Sequence, residues 1–422
     1  MSKILIKNIK GLVGVFEHSP AILRGDDLSN LPILENAFLA IENDLIIAYG
    51  KMEDWEGIID WRDLEIIDAS DRYVLPSWCD SHTHLVFAAS REGEFVDRIN
   101  GLTYEEIAAR GGGILNSAEK MANATEDELY ESSMTRIQEI MEHGTGAVEI
   151  KSGYGLSVES ELKMLRVIKR LKADSPLAIK ATFLGAHAFP KEFKENHAGY
   201  IKLIIEEMLP LIAEENLADY IDAFCEANYF STEELDQILA AGKKHNLQPK
   251  VHVNQFNAIG GIKTAIKHEA VSVDHLEVMN EEDYELLANS NTIATLLPSC
   301  SFFINLPYAP ANKMIEKNIA VALATDYNPG STPSGNMNYV LSLACIHMKM
   351  KPETAILAAT VNGAHAMGLG DSVGSITVGK KANMNITKPM PSLAYLPYHF
   401  ANQMIDCSIL NGIIQKRQTS TL

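Results

Sequence analysis

The chain has 422 residues, of which 46% are hydrophobic, so it can bury a large core and its composition is not that of a disordered protein. Its formal net charge of −19 at pH 7 argues against nucleic acid or an anionic membrane surface as a partner. No apolar stretch approaches the ~20 residues that a transmembrane helix needs. These properties predict a soluble globular protein, and they say nothing about its substrate.

The cysteines indicate a reducing compartment. There are five of them: Cys79, Cys225, Cys300, Cys345 and Cys407. Their number is odd, they lie far apart and they form no C-x-x-C motif, so neither a disulfide framework nor a zinc ribbon is expected. The first residues also lack the pattern of a secretory signal peptide. The cytoplasm is therefore the predicted location.

Short apolar runs alternate with longer helical patterns along the middle of the chain. Eight runs read as strands: Tyr73–Ser81, Gly146–Lys151, Ile179–Gly185, Tyr220–Glu226, Pro249–Asn254, Val271–His275, Thr292–Pro298 and Ala320–Asp326. Near-continuous apolar strands are buried on both faces, as in a parallel barrel. We therefore predict an α/β fold with a (β/α)₈ TIM-like barrel over residues 73–370. A doubly wound open sheet is the alternative, but no Gly-rich dinucleotide turn follows the first strand.

The two flanks, residues 1–72 and 371–422, hold short β-like runs broken by turns. These runs are Ser2–Ile9, Ala37–Ile41, Leu45–Tyr49, Glu65–Asp68, Ser375–Val378, Asn385–Thr387 and Ser408–Ile414. Neither flank has enough strands to form a domain alone. We expect the two to combine into one small β-sandwich-like domain beside the barrel.

Ionisable residues end several predicted strands. His82 and His84 stand two residues apart on an extended chain, so both imidazoles point to the same side. An H-x-H pair alone is weak evidence, but further candidates lie at the corresponding ends of other strands: His187, His252, His275 and Asp326. In a parallel barrel these ends converge on the face where barrel enzymes place their active sites. Imidazoles with a carboxylate suit zinc or ferrous iron.

The remaining histidines fall in flanks, loops or helical stretches, and we expect none of them to bind a metal. They are His18, His143, His197, His245, His268, His347, His365 and His399. Glu149, Lys151 and Glu226 also lie near strand ends, where they are expected to be solvated or paired structurally.

Several longer blocks carry a family resemblance. They are Asp80–Ala88 (DSHTHLVFA), Arg91, Thr103–Ala108 (TYEEIA), Gly111–Ile114 (GGGI), Glu149–Leu156 (EIKSGYGL), Thr182–Ala188 (TFLGAHA), Asp274–Glu277 (DHLE), Ala324–Gly330 (ATDYNPG) and Leu396–Phe400 (LPYHF). With the strand-end histidines and aspartate, they resemble the amidohydrolase superfamily and, within it, the imidazolonepropionases of histidine degradation. The resemblance covers most of the chain, from about Pro76 to Gly379 and again near its end.

The resemblance implies a role for each matching residue. His82, His84, His252 and Asp326 would bind one zinc or iron ion, and His275 and Asp326 would be catalytic. The residues implied to contact the substrate are Arg91, Tyr154, His187, Gln255, Asn328, Gly330 and Ser331. The implied reaction is hydrolysis of the cyclic amide C–N bond of 4-imidazolone-5-propanoate by metal-activated water, giving N-formimidoyl-L-glutamate.

The residues agree with this reaction. A substrate with a propionate arm needs a cation, and the Arg91 guanidinium can form a fork of hydrogen bonds to a carboxylate. A surface ion pair is the alternative role for this arginine. The sequence leaves open which of His275 and Asp326 is the main base, and whether the metal is zinc or iron.

Other functions remain as alternatives. Heterocycle deaminases usually carry glutamate three residues after the strand-5 histidine, whereas Gln255 cannot shuttle a proton. A two-metal site would need a lysine at the end of strand 4, which here reads Cys225-Glu226. Another mononuclear cyclic amidohydrolase, a heterocycle deaminase and a catalytically silent barrel are thus the competing hypotheses. A homodimer is expected because large barrels of this type often dimerise.

Overall fold

The computed structural model describes residues 3–57, 62–103, 106–107, 110, 112–400 and 402–415. Four residues of the quoted sequence blocks, Tyr104, Glu105, Ala108 and Gly111, lie outside the described residues. So do residues 1–2, 58–61, 401 and 416–422 of the predicted terminal domain.

The described chain forms sixteen strands in two sheets. In chain order they are β1 (Lys3–Val13), β2 (Ile33–Glu42), β3 (Leu45–Lys51), β4 (Leu64–Asp68), β5 (Tyr73–Pro76), β6 (Trp78–Thr83), β7 (Thr145–Lys151), β8 (Ala178–Ala186), β9 (Tyr220–Cys225), β10 (Gln248–Val253), β11 (Ser272–His275), β12 (Ile293–Leu296), β13 (Val321–Leu323), β14 (Met384–Thr387), β15 (Ile405–Leu410) and β16 (Ile413–Gln415).

Strands β6 to β13 form an eight-stranded parallel sheet in which each strand pairs with the next along the chain. The ring closes where the chain leaves β13. The backbone N–H of His84 donates to the Tyr327 carbonyl (2.9 Å), and the N–H of Asp326 donates to the His82 carbonyl (3.0 Å). The predicted (β/α)₈ barrel is confirmed, and its closure joins the segments that carry the first two histidines and the aspartate.

Helices surround the barrel. They are α1 (Glu92–Ile99), α2 (Ile114–Asn123), α3 (Glu126–Glu142), α4 (Val158–Asp174), α5 (His197–Leu203), α6 (Leu209–Glu214), α7 (Thr232–Lys244), α8 (Gly261–Lys267), α9 (Glu281–Ala288), α10 (Pro298–Ile304), α11 (Ala311–Glu316), α12 (Met337–Ile346), α13 (Pro352–Ala359), α14 (Val361–His365) and α15 (Tyr395–Tyr398). A π-helical turn, Ile204–Met208, joins α5 to α6, and short 3₁₀ turns cover Gly25–Ser29, Met52–Asp54 and Lys191–Phe193.

Local sequence explains where the longer helices begin. Thr125 and Ser231 each cap a helix, and the side-chain oxygen of the cap accepts from the backbone N–H of the third helical residue, Glu128 or Glu234. The carboxylate of that glutamate in turn accepts from the backbone N–H of the cap. Such reciprocal capping satisfies two of the N–H groups that a helix start leaves unpaired. The inner faces of α4 and α7 then bury apolar side chains against the barrel.

The second sheet combines both ends of the chain. Its order is β16-β15-β14-β5-β1-β2-β3, and β4 also pairs with β1. Strand β14 runs antiparallel to β5, and this contact joins the C-terminal strands to the N-terminal ones. The predicted combination of the two flanks into one β unit is confirmed. The domain boundaries at residues 72/73 and 370/371 stay a prediction.

Two predicted strands are divided in the structure. The run Tyr73–Ser81 splits at Ser77: β5 belongs to the terminal sheet and β6 to the barrel. Pro76 has no N–H to donate to a ladder, which accounts for the break. The run Ser408–Ile414 is a hairpin whose turn residues, Asn411 and Gly412, have φ values of 50° and 71°. An Asn-Gly pair favours this turn because both positions need positive φ.

A third predicted strand, Ser375–Val378, is not a strand in the structure. Ile376 within it makes an isolated parallel bridge to Val15. None of the helices in the described ranges combines the length and hydrophobicity that a transmembrane span requires.

The hairpin turn at Gly412 provides a test of the terminal sheet. A Cβ atom there would lie 1.7 Å from the Asn43 carbonyl oxygen, besides forcing an L-residue to positive φ. We expect Gly412→Ala to lower the free energy of unfolding by about 2 kcal/mol or more. Denaturant unfolding would measure the loss.

Gly379→Ala is the matched control, because Gly379 also has positive φ (89°) but no atom lies within 4 Å of its added Cβ. It should lose only about 1–2 kcal/mol. Equal losses in the two variants would contradict the close approach of the turn to Asn43.

Candidate active site

A cavity of about 500 Å³ opens at the C-terminal ends of the barrel strands. Every residue predicted for the site except His82 lines it: His84, Arg91, Tyr154, His187, His252, Gln255, His275, Asp326, Asn328, Gly330 and Ser331. Apolar side chains of Ile114, Phe224, Phe256 and Ile304 complete the wall. His82 is fully buried and contacts this group from within the barrel.

Three histidines converge on one point of the cavity. The ligand atoms of His82, His84 and His252 all lie within 4.8 Å of one another. The Asp326 Oδ1 atom lies 3.5 Å from His82 Nε2 and 3.6 Å from His84 Nε2. His82 Nε2 is buried without a hydrogen-bond partner among the described residues. A buried nitrogen left in this way fits a cation ligand, so the donor set can hold a metal ion.

Burial keeps the imidazoles of His82 and His84 neutral. It lowers the pKa of His82 and of His84 well below the ordinary value, and neighbouring imidazoles and Lys151 add to the effect. Burial lowers the pKa of His187 to about 3, and the proximity of His252 adds to the effect. Metal binding requires unprotonated imidazole, so the environment favours the ligand form of His82 and His84 before any ion arrives.

Two aspartates lie behind the histidine cluster. His82 Nδ1 is 2.7 Å from Asp274 Oδ2, and His252 Nδ1 is 3.0 Å from Asp222 Oδ2. A carboxylate on Nδ1 fixes the tautomer and orientation of a histidine and leaves Nε2 available for a metal. Sequence reasoning missed both aspartates. Asp222 lies two residues after the start of the predicted strand Tyr220–Glu226, and Asp274 lies one residue before the end of Val271–His275.

A buried lysine joins the two aspartates. Lys151 Nζ lies 2.9 Å from Asp222 Oδ2, 3.6 Å from Asp274 Oδ2 and 2.6 Å from Glu149 Oε1. Lys250 contacts the second oxygen of Glu149, and all five side chains are fully buried. Burial alone would lower the pKa of Lys151, but the surrounding carboxylates raise it, so the ammonium stays charged. The structural pairing expected for Glu149 and Lys151 is therefore observed.

Glu226 has a different structural role. Its Oε2 atom accepts hydrogen bonds from the backbone N–H groups of Phe256 (2.9 Å) and Asn257 (3.1 Å). The carboxylate thereby holds the loop that follows Gln255. The eight histidines expected not to bind metal line no part of this cavity among the described residues.

Strained backbone marks the two residues with predicted catalytic roles. His275 has φ 89° and Asp326 has φ 58°, and such conformations of non-glycine residues cluster at functional sites. Burial lowers the pKa of His275, but the carboxylates of Glu277, Asp326 and Asp274 outweigh it and raise the pKa above the ordinary value. His275 Nδ1 lies 3.7 Å from Glu277 Oε1. Burial raises the pKa of Asp326.

Arg91 also lines the cavity. Its Nη2 atom lies 2.5 Å from Glu94 Oε2. A Cβ atom on residue 330 would lie 2.2 Å from Arg91 Nη1, so glycine at this position is what admits the guanidinium. Asn328 Oδ1 accepts from the N–H groups of Gly330 (2.8 Å) and Ser331 (2.7 Å), which fixes the loop after Asp326.

The other residues predicted to contact the substrate are held by local interactions. His187 Nδ1 lies 3.0 Å from the Gly153 carbonyl oxygen, and its ring is 5.4 Å from that of Tyr154. The Gln255 amide donates to Cys300 Sγ at 3.5 Å. The structure thus gathers all the predicted residues in one site, while their individual roles stay predictions.

Comparisons with known proteins agree on the family. The Amidohydrolase family matches residues 73–416. A protein of Flavobacterium johnsoniae named imidazolonepropionase is 58% identical over 97% of this chain and 99% of its own length. A protein of Clostridium tetani with the same name is 43% identical over 92% of this chain and 93% of its own length.

Solved structures share the fold. Guanine deaminase of E. coli superposes with a TM-score of 0.76 at 14% identity, covering 99% of this chain and 100% of that one. A zinc-bound adenosine deaminase of Xanthomonas campestris gives a TM-score of 0.73 at 16% identity, covering 100% of this chain and 94% of that one. The family match and the identity to named relatives together show that this chain belongs to the imidazolonepropionases of the amidohydrolase family.

Proposed function

We propose that the chain hydrolyses the ring C–N bond of 4-imidazolone-5-propanoate to give N-formimidoyl-L-glutamate. One observation carries the proposal: a single cavity places a histidine–carboxylate cluster and a buried arginine around the same space. The relatives of 56–58% identity that are named imidazolonepropionase support the same substrate.

The proposed cofactor is one zinc or iron ion held by His82, His84, His252 and Asp326. Buried imidazole nitrogens with one carboxylate form a donor set that both metals accept. When bound, such an ion supplies Lewis-acid polarisation and a lowered pKa of water.

Arg91 is proposed to orient the substrate. A guanidinium can bind a carboxylate through two parallel hydrogen bonds, which would fix the propionate arm beside Arg91. Tyr154 and His187 line the cavity beside His84 and would confine the ring. Asn328, Gly330 and Ser331 hold the Arg91 side of the cavity in shape.

Asp326 and His275 are proposed to share the proton chemistry. Water oxygen attacks the ring carbonyl carbon, and Asp326, which borders the histidine cluster, accepts the proton that the water loses. His275 stabilises the negative charge that develops on the carbonyl oxygen. Asp326 then delivers the proton to the ring nitrogen as the C–N bond breaks, so the carboxylate is regenerated.

A deaminase function is the second candidate and is less favoured. The solved deaminases share the fold only. At the position of the deaminase glutamate, Gln255 presents an amide that donates to Cys300 and cannot shuttle a proton.

We further propose a homodimer in the cytoplasm. Apolar side chains of α1 and α10 are exposed, including Val96 (52%), Ile99 (68%) and Phe302 (50%), and such patches often mark interfaces. Ile99→Glu should shift the mass measured by analytical sedimentation from dimer to monomer, and a monomeric wild type would contradict the proposed dimer.

The proposed location agrees with the cysteines. All five are free, as expected in a reducing compartment.

Metal removal tests substrate and cofactor class together. We expect the metal-loaded enzyme to abolish the ultraviolet absorbance of freshly prepared imidazolonepropionate with formimidoylglutamate as product. Chelated enzyme should lose this activity, and zinc or ferrous iron should restore it. No decay with folded, metal-replete enzyme would refute the proposed substrate.

Arg91→Ala tests the orientation of the substrate. Losing a charged hydrogen-bond pair of about 1.5–3 kcal/mol should raise KM about 10-fold to 100-fold. Steady-state kinetics would measure the change. Arg170→Ala, which removes an exposed arginine paired with Asp127, is the control for the lost charge and should leave KM unchanged. An unchanged KM in the Arg91 variant would contradict its role.

Asp222→Asn tests the residues behind the histidines. The change removes the carboxylate that holds His252 Nδ1, so metal affinity should fall about 10-fold to 100-fold. Competition with a chelator would measure the affinity. Glu226→Gln changes a buried carboxylate that follows the same strand but contacts only loop N–H groups in the described structure, and it should keep wild-type affinity. Equal losses of metal affinity in the two variants would contradict a specific role of Asp222 and would show a general effect of removing a buried charge.

A further inference from the structure

A second cluster of metal-binding side chains lies beside the proposed metal site. Ligand atoms of His275, Glu277 and Cys300 all lie within 4.8 Å of one another. His275 ends β11, Glu277 follows it by two residues, and Cys300 lies in the first turn of α10. All three side chains are buried.

The hydrogen bonds of the described residues leave this cluster incomplete. Glu277 Oε1 accepts from Ser301 Oγ at 2.9 Å, but Glu277 Oε2 has no partner. His275 Nδ1 is also without a hydrogen bond, at 3.7 Å from Glu277 Oε1. A buried carboxylate oxygen and a buried ring nitrogen without partners are costly, because each has lost its water. A cation between them would satisfy both.

We propose that His275, Glu277 and Cys300 form a second binding site for a borderline divalent cation such as Zn²⁺, Co²⁺ or Cd²⁺. One imidazole, one carboxylate and one thiolate are three of the four ligands that such ions take in tetrahedral sites, and water would be the fourth.

The active-site cavity gives a route to this site. His275 and Gln255 both line the cavity, and the Gln255 amide contacts Cys300 Sγ at 3.5 Å. The Gln255 side chain therefore connects the cavity to the thiol.

Charge makes two neighbouring ions compatible. The ring of His275 lies 5.4 Å from that of His252 and 5.7 Å from that of His82, so the two ions would repel each other. The Glu277 carboxylate and the Cys300 thiolate add two negative charges at the second site, which offset this repulsion. Sites that hold two metal ions about 3.5–4 Å apart occur in other hydrolytic enzymes.

The second ion would inhibit the enzyme. A cation on Nδ1 prevents that nitrogen from carrying a proton and holds the His275 ring toward Glu277. This consequence rests on the proposed function of His275, whereas ion binding itself does not depend on the substrate.

The test is a titration of metal-loaded enzyme with Cd²⁺, followed by equilibrium dialysis and ultraviolet spectroscopy. We expect the wild type to hold two ions per chain, with a thiolate-to-metal charge-transfer band accompanying the second. Cys300→Ser and Cys300→Ala should weaken the second ion at least about 10-fold and remove the band. Cys345→Ala, which removes a partly exposed cysteine of α12, should keep both ions and the band.

The outcomes separate the two claims. The proposed second cation site would be contradicted if the wild type bound one ion only, or if the Cys300 variants kept the second ion and its charge-transfer band. Excess Zn²⁺ should inhibit turnover of imidazolonepropionate by the wild type and the Cys345 variant, but not by the Cys300 variants. If no enzyme turns over this substrate while the binding results hold, the proposed function fails and the cation site stands.

Discussion

The ion pairs of Lys151 with Asp222 and Asp274 are the interaction on which the site depends. Each aspartate holds one histidine of the histidine cluster, and a single ammonium joins the two aspartates inside the barrel. Isolated charges at such depth would be prohibitively costly, so each member requires the others. The directions of two imidazoles are therefore set by an electrostatic arrangement that reaches across strands β7, β9 and β11.

The parallel barrel makes this arrangement possible. Every strand places a carboxyl end on the same face, so residues far apart in sequence meet without long loops. Closure of the ring through His84 and Tyr327 fixes the first histidine pair against Asp326. The strained conformations of His275 and Asp326 persist because the surrounding strands determine them.

Sequence patterns were sufficient for the barrel and for the placement of the candidate site. Several predicted strands end in an ionisable residue. The H-x-H motif at the end of the first one places two imidazoles on the same side of an extended chain. The aspartates were missed because Asp222 and Asp274 lie inside apolar runs, where only the barrel reveals what they face. Cys300 carries no pattern at all, since its proximity to His275 arises from the packing of α10 beside β11. The two predicted strands that the structure divides carried local signals of the division. Pro76 favours the end of a strand, and Asn411-Gly412 favours a turn.

Ser77 is the single residue between the terminal sheet and the strand that carries His82. It follows β5, whose partner β14 lies some three hundred residues later in the chain. During synthesis from the N-terminus, β1 to β5 emerge before β6, whereas β14 to β16, which complete the same sheet, emerge last. The barrel can begin to assemble on the ribosome, but the start of its first strand gains its final support only after the last segment of the protein has been made.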